Sequence, residues 1–445
     1  MTSKRIHTIH ILHDVFERNI KVKDAMEPYF TLIDDRDRSF IMEIVYGVLR
    51  KLYYLDWILS HFIKDTKPLS QSTIHNLRVA IYQILFMRVP ARAVVFEAVE
   101  IEKSHSGRAD LVNAVLRNYL RRSDSINTKS IDDLRERISI ETSHPRWLID
   151  RWVNRYGIQG AEALARANNE RPPIVVRFRN NNTFEKALQT LRAQGFKTSI
   201  SIYCPNCLLI HDTIRFNTLQ SLFDNDFVLQ DEASQLVSIL LNVSDGMTVL
   251  DACSAPGGKT SHIADIMNDR GIVYSVEGNP KRFLLLKGTI MRLNLRSVKA
   301  VNCNVEEIRR VLSKEGVTGF DRILLDSPCS GIGVIRRKPD VRYRHTEEDL
   351  LRFQQKQIEM LTALSDMLLP NGLMVYAVCS TEPEEGEEVV MRFLQKKSGF
   401  SIINSNKESL KPFKYVRKDG LVCYRTMPHL HEMDGFFMAL IKRKA

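Results

Sequence analysis

Apolar residues recur at intervals of three and four through the first quarter of the chain. One such run contains Ile41, Ile44, Val45, Val48 and Leu52. This spacing places the apolar side chains on one face of a helix. Similar runs continue to about residue 122 with few strand-like alternations between them. The sequence therefore predicts an all-helical domain over residues 1–125.

The middle of the chain mixes helical and strand-like patterns. A polar stretch without apolar periodicity covers residues 121–141 and predicts a linker. The helical pattern that follows ends at Pro172 and Pro173, directly before a strand candidate at 174–178. A further helix and two short strand candidates come next. Together these elements predict a small α+β subdomain over residues 142–230.

Strand-like segments alternate with helical ones after residue 231. The strand candidates lie at 248–251, 272–277, 299–302, 323–326 and 373–378. Such alternation predicts a parallel, doubly wound sheet, and hence a Rossmann-like α/β domain over residues 231–445. Ligands bind beyond the carboxyl ends of the strands in sheets of this kind. Residues at the strand ends are therefore the first candidates for chemistry.

Composition and charge narrow the possible classes of protein. Hydrophobic residues make up 44% and charged residues 26% of the 445 residues, which predicts an ordered globular chain. The formal net charge of +11 favours a polyanionic partner such as a nucleic acid. Seven cysteines without a signal-peptide pattern indicate a reducing compartment. We therefore expect a cytoplasmic monomer with no membrane segment.

The segment after the first strand of the predicted sheet has the form of a nucleotide-type cofactor loop. An apolar strand ending at Asp251 runs into a turn that contains Gly257 and Gly258, and a helix starts near Thr260. Glycines allow close approach of the backbone to a ligand, and a helix N-terminus offers free N–H groups. An ATPase loop is the rival interpretation, but Cys253 stands where its first glycine belongs.

Acidic residues and cysteines follow other strands of the same sheet. Glu277 ends the second strand at the position where nucleotide-binding sheets place a carboxylate on the ribose, although a solvated strand-end carboxylate is the simpler alternative. Asp326 ends another strand and directly precedes Ser-Pro-Cys329, and Cys379 ends the last one. A cysteine at a strand exit can be exposed and ionised, whereas Asp326 could instead be a strand-end cap.

Two other patterns suggest binding sites. A basic cluster follows the Cys329 segment, with Tyr343 nearby, and suits RNA phosphate contact and base stacking; its predicted RNA-binding residues are Arg336, Arg337, Lys338 and Arg342. A solvated charged loop is the alternative. Cys204 and Cys207 form a single C-x-x-C without neighbouring histidines, so we interpret the segment as a turn and expect no metal.

These motifs together resemble the Nol/Nop/Sun family of RNA 5-methylcytosine methyltransferases, and within it the RsmB (Sun) branch that acts on small-subunit (16S) ribosomal RNA. The resemblance covers residues 251–260, 326–342, 379–388 and 434–437. Residues 6–122 are similar to the family's helical RNA-binding domain, which is NusB-like. The resemblance thus extends over nearly the whole chain, and it implies ribosomal RNA as the substrate and an RNA contact for the subdomain at 142–230.

The resemblance also implies a cofactor and its binding residues. The cofactor is S-adenosyl-L-methionine, with Glu277 on its ribose and Asp326 next to both cofactor and base. The loop that wraps it consists of Cys253, Ser254, Ala255, Pro256, Gly257, Gly258 and Lys259. Asn304 stands where the family has an acidic residue near the adenine, and an amide can still donate and accept hydrogen bonds there.

Carbon 5 of cytosine becomes nucleophilic only after a nucleophile adds to carbon 6, and a thiolate suits that step. The chemistry of the sequence leaves both Cys329 and Cys379 eligible. The resemblance assigns attack to Cys379 and product release to Cys329, while Asp326 stabilises charge on the base. A transfer-RNA substrate and a non-catalytic ribosome assembly factor are the alternative functions; the two intact cysteines argue against the latter and against methylation of DNA or protein.

Overall fold

The computed structural model describes residues 4–30, 33–63, 69–105 and 107–445. The chain forms two compact units. The first comprises Met1–Glu170 together with Ile335–His345, and the second comprises Arg171–Val334 and Thr346–Ala445. The division into domains at 1–125, 142–230 and 231–445 stays a prediction.

The first unit is helical, as its periodicity predicts. Its helices are α1 (Lys4–Phe16), α2 (Val22–Phe30), α3 (Asp35–Ser60), α4 (Gln71–Phe86), α5 (Ala91–His105), α6 (Ala109–Arg122), α7 (Leu134–Thr142) and α8 (Arg146–Ala167). The apolar faces meet in one core, to which α3 contributes Ile41, Ile44, Val45 and Val48, all fully buried. Their three- and four-residue spacing is the reason why one face of α3 can be buried along its length.

Helix α7 occupies part of the segment for which the sequence predicts a linker. Asp133 caps it by accepting hydrogen bonds from the backbone N–H groups of Arg135 and Glu136. Ile138 is buried, but charged residues surround it and hide the apolar periodicity in a helix this short. The prediction of a linker over residues 121–141 is therefore wrong for residues 134–141.

Residues Ile335–His345 belong to the first unit although they follow a strand of the second. Arg342 is 1% exposed, and its Nη1 donates to the carbonyl oxygens of Thr142 at 3.0 Å and Ser143 at 3.1 Å and to Oδ1 of Asn169 at 2.9 Å. Burial lowers the pKa of Arg342 to about 10. Tyr343 packs against the core and donates its hydroxyl to the carbonyl of Leu49 at 2.8 Å.

This burial corrects the prediction that Arg336 and Arg342 bind RNA. Arg336 is 3% exposed, so neither guanidinium is presented to a ligand in solution. Arg342 is buried here because it supplies hydrogen-bond donors to carbonyl oxygens that would otherwise be buried without one. In the same segment Arg337 is half-buried and Lys338 is exposed, which leaves these two as the candidates for RNA contact.

The second unit begins with a small antiparallel sheet. Its elements are β1 (Ile174–Phe178), α9 (Asn181–Ala193), β2 (Thr198–Ile200), β3 (Cys207–Ile210), α10 (Phe216–Phe223) and β4 (Phe227–Leu229), and the strand order is β2-β3-β1-β4. Phe178, Phe184 and Phe227 are buried in the core beneath it. The predicted strand at 174–178 and the predicted α+β character are confirmed.

The large sheet carries the predicted parallel strands. Its first part consists of α11 (Glu232–Leu240), β5 (Thr248–Asp251), α12 (Gly258–Ile266), β6 (Ile272–Val276), α13 (Pro280–Leu293), β7 (Val298–Val301), α14 (Ile308–Ser313), β8 (Phe320–Asp326), α15 (Glu347–Ser365) and β9 (Leu368–Val378). Val249, Leu250 and Leu324 are fully buried, as expected for strands covered on both faces. The pairing is parallel from β7 through β6, β5 and β8 to β9.

An antiparallel extension follows these strands. It consists of α16 (Glu387–Lys396), β10 (Phe400–Ile402), β11 (Lys414–Val416), β12 (Val422–Thr426), α17 (Pro428–His431) and β13 (Phe436–Arg443). Strand β13 pairs antiparallel with β9, so the full order is β11-β12-β13-β9-β8-β5-β6-β7, with β10 beside β13. The Rossmann-like α/β fold preceded by an all-α region and a small α+β sheet is confirmed. None of the described helices has the length and apolarity that crossing a membrane requires.

Candidate active site

The loop between β5 and α12 is held against the end of β6. Ser254 donates from both its backbone N–H and its hydroxyl to the carbonyl of Val276, each at 2.9 Å. Gly257 has a φ of 104°, a conformation that side chains disfavour, and α12 begins at the next residue. The backbone of the loop and the N-terminus of α12 therefore lie at the carboxyl edge of the sheet, where ligands of such sheets bind.

Glu277 lies beside this loop, directly after β6. Its Oε1 accepts from the backbone N–H of Asn279 at 2.9 Å, and Arg282 Nη2 lies 3.3 Å from Oε2 and 2.7 Å from the carbonyl oxygen of Ala255. Oε2 is buried and accepts no hydrogen bond from the described residues. A carboxylate oxygen that can still accept a hydrogen bond at this edge fits a ligand that offers hydroxyl groups, such as a ribose.

Asn304 stands next to the Glu277 segment. A Cβ atom placed on Gly278 would come within 2.4 Å of Asn304 Oδ1, so the absence of a side chain at 278 is what allows the amide to approach. Asn302 donates to the carbonyl of Glu277 at 2.5 Å and fixes the strand ends together. The structure thus brings Asn304 and Glu277 to one place, as the sequence predicts.

Asp251 ends β5 in full burial beneath the loop. Thr260 donates its hydroxyl to Asp251 Oδ2 at 2.7 Å, and Oδ1 has no hydrogen-bond partner in the part of the chain that the structure describes. Burial is the main cause that raises the pKa of Asp251, to about 7. With Glu277 and the loop amides, it forms a mixed set of acceptors and donors that fits a ligand with ribose, amino and carboxylate groups such as S-adenosyl-L-methionine.

Lys259 and Asp326 form an ion pair at the same edge. Lys259 Nζ lies 2.8 Å from Asp326 Oδ2, and 5.2 Å from the centre of the Phe436 ring. Burial lowers the pKa of Lys259, but the charge and hydrogen bond of Asp326 outweigh it and raise the pKa above its ordinary value, with a further contribution from Cys379. The ammonium group of Lys259 thus stays charged beside the Asp326 carboxylate.

Cys329 and Cys379 meet after β8 and β9. Their sulfur atoms are 3.3 Å apart and are not joined in a disulfide bond. The hydrogen bond with Cys379 is the main cause that raises the pKa of Cys329, and burial raises it further. The predicted site residues from 253–259, 277, 304, 326, 329 and 379 therefore lie at one edge of one sheet, whereas Arg336, Arg337, Lys338 and Arg342 belong to the other unit.

Two glycines make the approach of the cysteine segments possible. Gly333 donates its N–H to the carbonyl of Cys379 at 3.0 Å, and its own carbonyl accepts from Gly435 at 2.8 Å. A Cβ atom on Gly333 would lie 1.9 Å from the carbonyl oxygen of Gly435. The segment that precedes β13 is thereby fixed against the loop of Cys329.

Glu385 is a residue of the site that the sequence reasoning did not assign. It is fully buried, and its carboxylate accepts hydrogen bonds from Ser330 and Ser380, which directly follow the two cysteines. The acidic run at 382–388 was part of the family resemblance without a role for any member. The matching Cys-Ser pairs at two strand ends were the signal that could have pointed to a shared acceptor.

Cys204 and Cys207 have a structural explanation. Both are buried, Cys207 Sγ accepts from Gln235 Nε2 at 3.2 Å, and burial raises the pKa of both thiols. A turn at residues 205–206 separates them. Within the described ranges, no group of three His, Cys, Asp or Glu side chains is placed to hold a metal ion.

Two solved structures share the fold of this chain. The crystal structure of PH0851 matches over 100% of this chain and 99% of that chain at 24% identity, with a TM-score of 0.81. The crystal structure of NSun6 from Pyrococcus horikoshii with SFG matches over 68% of this chain and 98% of that chain at 19% identity, with a TM-score of 0.59. At these identities the likeness establishes the fold.

Family models and sequence relatives identify the protein family to which the chain belongs. The model of the 16S rRNA methyltransferase RsmB/F family matches residues 238–442, that of the NusB family residues 2–121, and that of the RsmF/B ferredoxin-like domain residues 144–217. The probable ribosomal RNA small subunit methyltransferase B of Bacillus subtilis is 34% identical over 423 residues, covering 93% of this chain and 92% of the relative. The ribosomal RNA small subunit methyltransferase B of Cronobacter sakazakii is 30% identical and covers 97% of each chain. The chain belongs to the RsmB/F methyltransferase family, which confirms the predicted resemblance.

Proposed function

We propose that this protein transfers a methyl group from S-adenosyl-L-methionine to carbon 5 of a cytosine in 16S ribosomal RNA, through a covalent adduct with a cysteine. The cofactor and the substrate class follow from the family and from the relatives. The observation that carries the mechanism is the pair of cysteines that approach to 3.3 Å without a disulfide bond, at the sheet edge that also holds the ion pair of Lys259 and Asp326. A single thiol would suffice for attack, so the second one requires a task of its own.

The cofactor is held at the loop after β5. The backbone from Cys253 to Gly258 and the N-terminus of α12 would hold its amino-acid end, and Glu277 would accept hydrogen bonds from its ribose. Asn304, which lies beside Glu277, would hold the adenine. When bound, S-adenosyl-L-methionine supplies an electrophilic methyl group on a sulfonium.

Cys379 is the attacking residue in this proposal. Cys379 interacts electrostatically with Lys259, and a positive charge of this kind favours a thiolate; its neighbour Cys329 has a raised pKa. Attack forms a bond between Cys379 Sγ and carbon 6 of cytosine and makes carbon 5 an enamine carbon. The hydrogen bond with Cys379 and burial raise the pKa of Cys329, which disfavours its thiolate, so Cys379 is the nucleophile in this proposal.

Asp326 and Cys329 stabilise the charges that develop on the cytosine and on the leaving sulfur. Asp326 accepts a hydrogen bond from the amino group or the protonated ring nitrogen of cytosine, while Lys259 orients its carboxylate. After methylation the proton on carbon 5 passes to water, its electron pair re-forms the double bond to carbon 6, and Cys379 leaves carbon 6 as a thiolate. Cys329 assists this elimination by donating a hydrogen bond from its thiol to the leaving sulfur of Cys379.

RNA must present the cytosine outside a duplex, because the sulfur has to reach carbon 6 above the ring plane. Flipping costs a few kcal/mol, which contacts to the RNA backbone must offset. The helical domain, the subdomain at 142–230 and the exposed Lys338 with Arg337 supply those contacts. The protein acts as a monomer, with domains at 1–125, 142–230 and 231–445.

An assay with purified components tests this function. The protein is incubated with 16S ribosomal RNA and methyl-labelled S-adenosyl-L-methionine, and the RNA is digested to nucleosides. We expect label in 5-methylcytidine with the wild-type protein and none with Cys379→Ala. Label found only on transfer RNA would show that transfer RNA, rather than 16S ribosomal RNA, is the substrate. Cofactor binding without any labelled RNA would indicate an assembly factor.

A further inference from the structure

The two cysteine loops share one buried carboxylate. Glu385 Oε1 accepts from the backbone N–H of Ser330 at 2.7 Å, and Oε2 accepts from the Ser330 hydroxyl at 2.5 Å and from the Ser380 hydroxyl at 2.5 Å. Ser330 follows Cys329 and Ser380 follows Cys379 in the chain. The carboxylate therefore bonds to the residue next to each sulfur.

Glu385 is itself held in place from two sides. Tyr376 in β9 donates its hydroxyl to the backbone carbonyl of Glu385 at 2.6 Å. Gln357 in α15 donates from Nε2 to Glu385 Oε1 at 3.2 Å and to the carbonyl of Pro328 at 3.0 Å. All three of these side chains are fully buried. The acceptor is thus fixed relative to the sheet, and the serines are fixed relative to the acceptor.

Energetics favour a single arrangement of this cluster. A carboxylate buried without donors is costly, and each donor lost leaves that cost uncompensated. Burial raises the pKa of Glu385, while the hydrogen bonds from Ser330 and Ser380 oppose the rise. Displacing either cysteine loop would break at least one of these bonds, so the loops do not move independently at low cost.

We propose that Glu385 is a positioning residue that sets the separation of the Cys329 and Cys379 sulfur atoms. It acts through the serines that follow the cysteines. The catalytic consequence rests on the proposed function, since it assumes that the two sulfurs act on one base. The geometric claim does not, because it concerns the distance between two thiols of the protein alone.

Disulfide formation between the two cysteines measures that distance without RNA. A disulfide needs the sulfurs to close to about 2 Å, so its rate reports how often they meet in the right geometry. Diamide serves as the oxidant: the two thiols lose two protons and two electrons, and diamide takes them up as it becomes a hydrazine. Mass spectrometry of digested protein quantifies the peptide pair linked through Cys329 and Cys379.

Four proteins are compared: wild type, Glu385→Ala, Glu385→Gln and Glu387→Gln. Glu387 is a matched control, because it is 3% exposed and pairs with Arg425 rather than with a cysteine loop. We expect the alanine variant to form the disulfide about tenfold more slowly or worse, since small displacements of reacting groups have effects of this size. The glutamine variant, whose amide keeps an acceptor and can donate to a serine hydroxyl, should recover part of the rate. Glu387→Gln should match the wild type.

Methylation gives a second measurement on the same variants. Glu385→Ala should lower kcat by about 100-fold while the dissociation constant for S-adenosyl-L-methionine stays unchanged, because the cofactor loop is on other strands. If that variant does not fold, Ser330→Ala with Ser380→Ala replaces it and should slow the disulfide in the same direction.

Two results would overturn the proposal. One is a wild-type disulfide rate in Glu385→Ala or in the double serine variant. The other is equal slowing in Glu387→Gln, which would indicate general loosening rather than positioning. A wild type that forms the disulfide quickly but does not methylate RNA would instead refute the proposed function and leave the positioning role standing.

Discussion

The sulfur atoms of Cys329 and Cys379 lie 3.3 Å apart although 50 residues separate them in the chain. They meet because β8 and β9 are parallel neighbours in register, with Asp326 opposite Ala377, and each cysteine follows its strand within three residues. A polar edge shared by adjacent strands is where doubly wound sheets place ligands. The proposed mechanism gives the two thiols distinct roles, which variants can separate.

Replacing each cysteine should have opposite effects on covalent RNA binding. Cys379→Ala should give neither methylation nor an adduct, because no bond to carbon 6 can form. Cys329→Ala should still attack and methylate but release product slowly, so protein and RNA should migrate together on a denaturing gel. An adduct that persists in Cys379→Ala and is absent from Cys329→Ala would exchange the two assignments.

Gly257 should be required for cofactor binding. A Cβ atom there would lie 3.0 Å from Thr289 Cγ2, and the φ of 104° disfavours any side chain, so Gly257→Val should distort the loop. We expect the affinity for S-adenosyl-L-methionine to fall by at least about 100-fold, measured by calorimetry. Gly288→Ala in α13 is the control, because no atom lies within 4 Å of the added Cβ and cofactor affinity should not change. Equal affinity in both variants would remove the loop from the cofactor site.

Arg342 should contribute to stability rather than to RNA affinity. Arg342→Ala removes the donor to carbonyls that stay buried, so the free energy of unfolding should fall by about 2–4 kcal/mol in urea denaturation. Lys338 is exposed, so Lys338→Ala is the comparison variant for RNA contact. It should leave stability unchanged and reduce the salt dependence of RNA binding by about one phosphate contact. A stable Arg342→Ala protein with weakened RNA binding would restore the sequence-based interpretation.

Asp251 should make stability depend on pH. Its folded pKa is about 7 because of burial, against about 3.9 in an unfolded chain, so the folded protein holds the proton more firmly. The contribution of Asp251 to the free energy of unfolding is therefore fully present below about pH 4 and is lost as the pH rises towards 7. The loss is at most about 1.4 kcal/mol per pH unit. Asp251→Asn, which cannot ionise, should lack this loss. A constant stability difference between the two proteins across that range would contradict the assignment.

The parallel sheet and its active edge could be predicted from the sequence because apolar runs mark the strands and the functional residues stand at the ends of those runs. Buried parallel strands read as short apolar runs, and Asp251, Glu277, Asp326 and Cys379 each stand where a run ends. The carboxyl ends of parallel strands necessarily share an edge. The predicted strands are therefore enough to bring these residues to one edge of the sheet.

The sequence could not reveal which polar side chains are buried by residues distant in the chain. A basic run looks the same whether it is solvated or buried, and Arg342 is buried only because carbonyls of residues 142–143, 200 positions away in the chain, need its donors. For the same reason Glu385 looked like one acid in an acidic run. Its role depends on Ser330, which the linear sequence places 55 residues earlier.

Bisulfite mapping of 16S ribosomal RNA tests the central claim most directly. RNA is taken from cells that contain the protein, from cells that lack it, and from cells complemented with Cys379→Ala. The account predicts one cytosine that resists conversion only when the wild-type protein is present and converts fully in the other two. An identical cytosine profile in all three RNAs would contradict it.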